Sequence, residues 1–256
     1  LGWILTDGIM MIAAIVLFFF GMSVISLVLS ALSLIFAIVE FLLYKKMLDP
    51  FFPKKTSHNV VAVRKPKGEV KRRIFFNGHP DAAWEWPVNY KLGGVGFEGH
   101  AVICGIGAVY YLVISIMLVA KNGLEYVSFD ASETLGLLRL IGLVFVPFLI
   151  GLYWMWNENR IVDGANDNLS GCYMGIAILK ALKEEGIEFE NTEVGVILTG
   201  SEEAGLRGAK AWCAAHKGEF DDVPTFIFSY DTIHDPKYLM TNYRDLNGTV
   251  KADKDV

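Results

Sequence analysis

Residues 193–212 read EVGVILTGSEEAGLRGAKAW, and their pattern indicates the fold class of the water-soluble part of the chain. It begins with apolar residues typical of a buried strand, continues with the acidic pair Glu202 and Glu203, and then has helical spacing over Ala204–Lys217. In open α/β sheets, functional groups lie beyond the carboxyl ends of the strands. We therefore expect a strand, a loop that contains functional side chains, and a helix.

The sequence on both sides predicts the same alternation of strands and helices. Another helix is predicted over Leu169–Glu185, where apolar residues recur at helical spacing before Gly186. The predicted strands are Asn59–Arg64, Val70–Asn77, Glu193–Thr199 and Thr225–Tyr230. Strands that alternate with helices form mostly parallel sheets with helices on their faces, so the predicted fold class is α/β.

The rest of the chain is unusually apolar. Apolar residues make up 53% of the 256 residues and charged residues only 20%, against about 45–50% and about 25% in soluble domains. The excess is gathered in residues 9–43, 101–120 and 135–156, and none of these blocks has more than one charge. Because the hydrocarbon core of a membrane is about 30 Å thick, we expect about four transmembrane helices.

These apolar blocks divide the chain into domains. Residues 1–48 are predicted to form a transmembrane helical hairpin, and residues 101–156 an inserted transmembrane hairpin. Residues 49–100 and 157–256 then form one water-soluble domain. Since its two pieces flank a hairpin, they are expected on the same side of the membrane.

Charge predicts which side that is. Residues 45–73 carry a net charge of +8, whereas the opposite loop, 121–134, carries −2. The positive-inside rule therefore predicts an integral membrane protein whose water-soluble domain is cytoplasmic. The basic segment also indicates contact with membrane lipid. A chain net charge of −5 gives no global attraction for polyanions, so no nucleic-acid partner is expected.

Chemistry-bearing side chains follow the predicted strands or precede a helix. They are His79, Asp81, Asp167, Glu202, Glu203 and Asp231. If the strands are parallel neighbours, these side chains meet in one crevice at the sheet edge. One histidine with several carboxylates suits Zn²⁺, with Co²⁺ or Mn²⁺ as alternatives. One of two adjacent glutamates can bind a metal while the other accepts a proton from metal-activated water.

Together these motifs resemble metallopeptidase family 28, a group of co-catalytic di-zinc exopeptidases. The matching stretches are SHNVV (57–61), GHPD (78–81), GANDNLSG (164–171), TGSEEAGLRGAKAW (199–212) and FSYD (228–231). The resemblance implies a zinc-exopeptidase-like fold with a mixed, mostly parallel sheet and flanking helices. It also implies a membrane-anchored exopeptidase that resembles aminopeptidases and hydrolyses peptide substrates with two Zn²⁺ ions.

The resemblance further implies a role for each site residue. His79 and Asp231 would bind one zinc, Asp167 would bridge both zincs, and Glu203 would bind the other. Glu202 would be the general base, and Asp81 a supporting carboxylate.

The chain departs from the family pattern in one respect. Family members have a further histidine ligand downstream of the last aspartate, and neither His216 nor His234 has the position expected of it. We therefore expect a C-terminally truncated peptidase domain with an incomplete second zinc site.

Two other functions compete with catalysis. A non-catalytic membrane scaffold could retain the peptidase fold, but such proteins typically lose ligands or the base, and those positions are filled here. A transporter is disfavoured because Arg139, the only charge in the last apolar block, lies near a span end and can snorkel to the interface.

Overall fold

Apolar helices and a mixed sheet make up most of the chain, of which the computed structural model describes residues 2–245, 248 and 250–253. The helices are α1 (Gly2–Phe19), α2 (Ser23–Phe36), α3 (Pro87–Asn122), α4 (Thr134–Gly142), α5 (Val146–Gly151), α6 (Ser170–Glu184) and α7 (Arg207–Ala215). The strands are β1 (Val60–Arg64), β2 (Arg72–Gly78), β3 (Trp84–Glu85), β4 (Asn157–Ile161), β5 (Thr192–Leu198) and β6 (Thr225–Ser229).

The chain divides into two units. The helical unit contains Leu1–Pro53 and Trp84–Arg160, and the α/β unit contains Lys54–Ala83 and Ile161–Val256. Residues 49–53, 84–100 and 157–160, which the sequence places in the water-soluble domain, thus lie in the helical unit. For the last two segments the reason is that β3 pairs with β4 and α3 continues directly into the apolar segment 101–120.

Four strands of the α/β unit form a mixed, mostly parallel sheet in the order β1-β5-β2-β6. β2 is parallel to β5 on one side and to β6 on the other, while β1 is antiparallel to β5. The register places Gly78 opposite Leu198 and Asn77 opposite Ser229. The α/β prediction is confirmed in this form, and each predicted strand is present within two residues of its predicted ends.

The central strands are buried on both faces. Val196 and Ile197 of β5 are adjacent and point to opposite faces, and both are buried, as expected of a parallel strand covered on both sides. Phe75 of β2 is 1% exposed. Its ring packs edge-on against Trp212 of α7 and against Phe220.

Glycines let α6 lie close to the sheet. A Cβ on Gly175 would lie 2.9 Å from Val196 Cγ2 and 3.1 Å from Phe76 Cβ. A Cβ on Gly78, at the end of β2, would lie 2.7 Å from the backbone nitrogen of Cys172. This close approach holds the start of α6, and the loop before it, against the end of β2.

A seam of buried serines joins α2 to its neighbours in the helical unit. The serines recur at intervals of three and four residues and are Ser23, Ser26, Ser30 and Ser33. Ser26 Oγ lies 3.2 Å from Ser115 Oγ of α3, and Ser33 Oγ donates to Asp7 Oδ1 of α1 at 2.7 Å. Small residues at such spacing let apolar helices approach closely.

Among the residues that the structure describes, three helices are long and apolar enough to cross a membrane. They are Ser23–Leu42, Pro87–Asn122 and Thr134–Trp154, while the apolar helix Ile4–Phe19 is shorter. The length and composition of three segments thus support the predicted transmembrane helices, and the fourth span stays a prediction.

Two of these segments differ from the simple spans expected. α3 begins at Pro87 rather than near residue 101, and Gly93 interrupts it with a φ of 70°. Thr134–Trp154 is not one regular helix, because 3₁₀ turns at Leu143–Phe145 and Leu152–Trp154 flank α5. Pro147, in the first turn of α5, lacks the amide hydrogen that a continuous helix needs.

The side chain of Arg139 is buried inside the helical unit. Arg139 is 1% exposed, and its guanidinium lies 4.9 Å from the centre of the Phe18 ring. The expected snorkelling is wrong, because the ring of Phe18 covers the guanidinium.

Removal of the Phe75 ring should destabilise the α/β unit. Phe75→Ala leaves a cavity beside Trp212, so the opening free energy of the β5 amides should fall by about 3–5 kcal/mol. Phe228→Ala is the matched control: Phe228 is 38% exposed, and its loss should cost about 1 kcal/mol. Hydrogen–deuterium exchange of the full chain in nanodiscs measures both. Equal losses of opening free energy in Phe75→Ala and Phe228→Ala would contradict the assignment of Phe75 to the core.

Candidate metal centre

Loops of the α/β unit converge beyond the carboxyl ends of its parallel strands. Loops follow β2, β5 and β6, and a further loop precedes α6. The register holds the ends of the three strands side by side, so their loops leave the sheet at one edge. The side chains that these loops bring together are all six predicted site residues: His79, Asp81, Asp167, Glu202, Glu203 and Asp231.

His79 lies at the centre of this cluster. It is 4% exposed, and its Nδ1 lies 3.1 Å from the carbonyl oxygen of Asp81. A proton on Nδ1 would donate to that carbonyl and leave Nε2 free to bind a metal. Nε2 lies 3.2 Å from Asp167 Oδ1, 3.7 Å from Glu202 Oε2 and 3.9 Å from Asp231 Oδ2.

Asp81 holds the acidic loop through its backbone. Asp81 Oδ1 accepts a hydrogen bond from the N–H of Glu202, and Oδ2 accepts one from the N–H of Glu203, both at 3.1 Å. Bonds from two consecutive amides to one carboxylate orient the turn. The supporting carboxylate that the resemblance implies thus acts on the loop, with Oδ1 3.7 Å from His79 Nδ1.

Asn168 is a positioning residue that the sequence reasoning missed. It is 1% exposed, and its Nδ2 donates to the carbonyl of Tyr230 at 2.8 Å. Its Oδ1 accepts from the N–H of Gly171 at 3.0 Å and of Thr232 at 3.3 Å. Asn168 therefore ties the loop of Asp167 to the loop of Asp231. The sequence offered one signal for this role, an asparagine three residues before Gly171 at the start of a helix. That signal predicts only a helix cap and not the contacts with the Asp231 loop.

Within the described part of the chain, two sets of side chains could each hold a metal ion. One is His79, Asp167 and Asp231, the other is His79, Glu202 and Glu203, and the donor atoms of each set lie within 4.8 Å of one another. The first set contains the three ligands that the resemblance assigns to one zinc. In the second set, Glu202 stands where the resemblance expects Asp167. The separate roles of Glu202 as base and Asp167 as bridge therefore stay predictions.

The donor set fits a divalent cation. Imidazole nitrogens and carboxylate oxygens are zinc ligands. Oε1 of Glu203 is buried, and no hydrogen-bond partner for it exists among the described residues. A buried carboxylate oxygen without a partner is costly unless a cation or a proton binds it.

Burial and mutual repulsion shift the protonation of the cluster. Burial, and then the charges of Asp167 and Glu202, raise the pKa of Glu203 to about 7. Burial also raises the pKa of Glu202 and of Asp231. Burial opposes protonation of His79, but the hydrogen bond to Asp167 and the charge of Glu202 raise its pKa to about 9. The site therefore carries excess negative charge that a metal ion would neutralise.

The cluster opens to solvent on one side. The side chains of Asp167 and Asp231 are 53% and 57% exposed, whereas that of Glu202 is 30% exposed and that of His79 only 5%. A substrate can therefore approach from the side of the two aspartates.

The two downstream histidines make other contacts. His216 lies just after α7, and its Nδ1 is 2.7 Å from Glu219 Oε2. His234 Nδ1 is 3.3 Å from the carbonyl of Thr232, and the ring stacks on Tyr238. Neither histidine belongs to the two metal-binding sets found within the described residues.

Residues 152–246 match the model of Peptidase family M28. This match supports the family predicted from the motifs. Members of family M28 generally bind zinc, so the match supports a zinc-dependent metallopeptidase. The matched range contains the loops of Asp167, Glu202 and Asp231, and the geometry adds His79 and Asp81 from outside it. Neither a search of curated proteins nor a search of solved structures finds a match.

Asn168→Ala should weaken metal binding at the candidate metal centre. The change removes three hydrogen bonds that hold the Asp167 and Asp231 loops together, so zinc affinity should fall about 10–100-fold. Asn166→Ala is the matched control, because Asn166 is exposed, two residues away and on the same loop. Competition with a fluorescent zinc indicator measures both affinities, and an equal response of the two variants would refute the positioning role.

Zinc binding to the candidate metal centre should strengthen as pH rises. The metal-free pKa is about 9 for His79 and about 7 for Glu203, so zinc must displace protons that these groups hold at lower pH. Apparent affinity should rise between about pH 6 and pH 9, by about tenfold per pH unit for each displaced proton. Indicator titrations calibrated at several pH values measure the slope. A flat profile would contradict the ligand assignment.

Proposed function

We propose that the protein is a membrane-anchored zinc exopeptidase that resembles aminopeptidases. The proposal rests on the convergence of an imidazole and several carboxylates, of which Asp167, Glu202, Glu203 and Asp231 lie in the range that matches family M28. His79, Asp167 and Asp231 would hold one zinc ion, and Glu203 would bind a second. Cobalt or manganese could replace zinc in this donor set. Zinc held there would supply Lewis acidity at the scissile carbonyl and acidify water.

Glu202 would act as the general base. Its Oε2 faces the centre of the cluster, 3.7 Å from His79 Nε2, and its side chain keeps partial access to solvent. Burial raises the pKa of Glu202, and a base with a raised pKa accepts a proton more readily while it is still ionised. Glu202 would take a proton from the attacking water and pass it to the leaving amine. Asp81 would keep this carboxylate in place through the loop backbone.

A peptide would enter past Asp167 and Asp231, the exposed side of the cluster. The resemblance to family 28 exopeptidases supports a substrate that is cleaved next to a free terminus, and the aminopeptidase assignment rests on the same resemblance. A scaffold without activity would have no need for the carboxylates whose burial raises their pKa values.

The peptidase would be anchored by the helical unit and face the cytoplasm. Three apolar helices of sufficient length support the anchoring. The net charge of +8 over residues 45–73, against −2 over residues 121–134, supports the orientation.

Glu202→Gln should abolish most of the activity without loss of zinc. Removal of a general base costs about 10²–10⁴-fold in rate, whereas the zinc content should stay that of the native chain. Glu184→Gln, an exposed glutamate on α6, is the control and should change neither quantity. The measurements are chelator-sensitive hydrolysis of aminoacyl substrates by the full chain and its zinc content.

Two outcomes would contradict this assignment. A Glu202→Gln chain that loses its zinc would make Glu202 a ligand rather than the base. A native chain that binds zinc but shows no chelator-sensitive hydrolysis of any peptide would favour the scaffold.

Cysteine labelling should place the α/β unit in the cytoplasm. Cys213 is exposed, whereas Cys104 and Cys172 are buried, so an impermeant maleimide should label Cys213 only after cells are permeabilised. Glu125→Cys, in the exposed loop 121–134, provides the matched control and should be labelled in intact cells. Labelling of Cys213 in intact cells would reverse the topology.

A further inference from the structure

The helical unit contains a cavity of about 750 Å³ between its first helix, the start of α3 and the end of its last candidate span. The apolar part of its lining includes Leu5, Val88 and Leu152, together with Leu92, which is 67% exposed. A volume of about 300–1,000 Å³ with apolar walls and a few polar groups is typical of a small-molecule site.

Aromatic side chains place this cavity at the boundary between membrane and water. Trp154 ends the candidate span Thr134–Trp154 and is 64% exposed, and both it and Trp156 line the cavity. Tryptophans concentrate at the level of lipid headgroups, where their apolar rings and polar N–H groups are both satisfied. Trp156 is held by edge contacts with Trp86 and Phe97, so this wall is fixed by packing. Lipid is the most abundant apolar molecule at this level.

The rim of the cavity carries one positive and one negative group. Lys91 and Glu158 both line it, and neither has an ion-pair partner within the part of the chain that the structure describes. A ligand with one anionic and one cationic group would satisfy both. Lysine binds phosphate oxygens as a point charge, and a carboxylate accepts hydrogen bonds from a primary ammonium but not from a quaternary one.

We propose that this cavity binds a phospholipid of the ethanolamine type. One acyl chain fills the apolar space beside Leu92 and Leu152, the phosphate lies at Lys91, and the ammonium lies at Glu158. All of its lining residues belong to the helical unit, and lipid binding there does not depend on peptidase activity.

Lipid binding to the full chain tests the proposal. Native mass spectrometry of the purified protein should detect one saturable phosphatidylethanolamine, bound about fivefold more tightly than phosphatidylglycerol. Glu158→Lys should reverse that preference, because the rim would then carry two cations. Glu125→Lys makes the same charge change in the exposed loop 121–134 and should leave the preference as in the native chain.

A photoactivatable acyl chain locates the bound lipid. Cross-links to peptides that contain Val88–Leu92 and Leu152–Trp156 are expected, and Val88→Trp, which fills the cavity, should remove them. Three results would overturn the proposal. They are cross-links spread equally over the exposed face of α2, equal affinity for lipids with different headgroups, and displacement of the bound lipid by an apolar peptide. If Val88→Trp does not fold, the headgroup preference of Glu158→Lys decides the question.

Discussion

Parallel pairing of β2 with both β5 and β6 is the constraint on which the candidate metal centre depends. It brings the carboxyl ends of three strands to one edge, with Gly78 opposite Leu198 and Asn77 opposite Ser229. A shift of one residue in either pairing would turn the following loop to the other face of the sheet. Close packing of α6 on the end of β2 adds the loop of Asp167 to the same edge.

The candidate metal centre combines loops of fixed backbone with an excess of negatively charged carboxylates. Hydrogen bonds from consecutive amides to Asp81, and the three bonds of Asn168, hold the loops in place through protein contacts alone. The side chains that they carry repel one another, which contributes to the raised pKa values of Glu203 and Asp231. Such an arrangement is preorganised for a cation, because the cost of gathering the carboxylates is met by folding rather than by binding.

The sequence predicted the parts of the fold that follow from local pattern. Short apolar runs bounded by glycine and polar residues were sufficient to predict β2, β5 and β6. The placement of functional side chains beyond the carboxyl ends of these strands followed from the predicted parallel topology. The start of α3 was not predictable in this way, because residues 87–100 contain several glycines and no long apolar run. The break before α5 and the pairing of β3 with β4 depend on tertiary contacts. Asn168 was missed because its partners are backbone groups distant in sequence.

We propose that one imidazole and several carboxylates hold zinc at the sheet edge. Zinc K-edge X-ray absorption of the zinc-loaded full chain reports these ligands. We expect a shell of nitrogen and oxygen ligands at about 2.0–2.2 Å with outer scattering from one imidazole, which His79→Gln removes. A zinc–sulfur shell near 2.3 Å, or imidazole scattering that His79→Gln leaves unchanged, would contradict it.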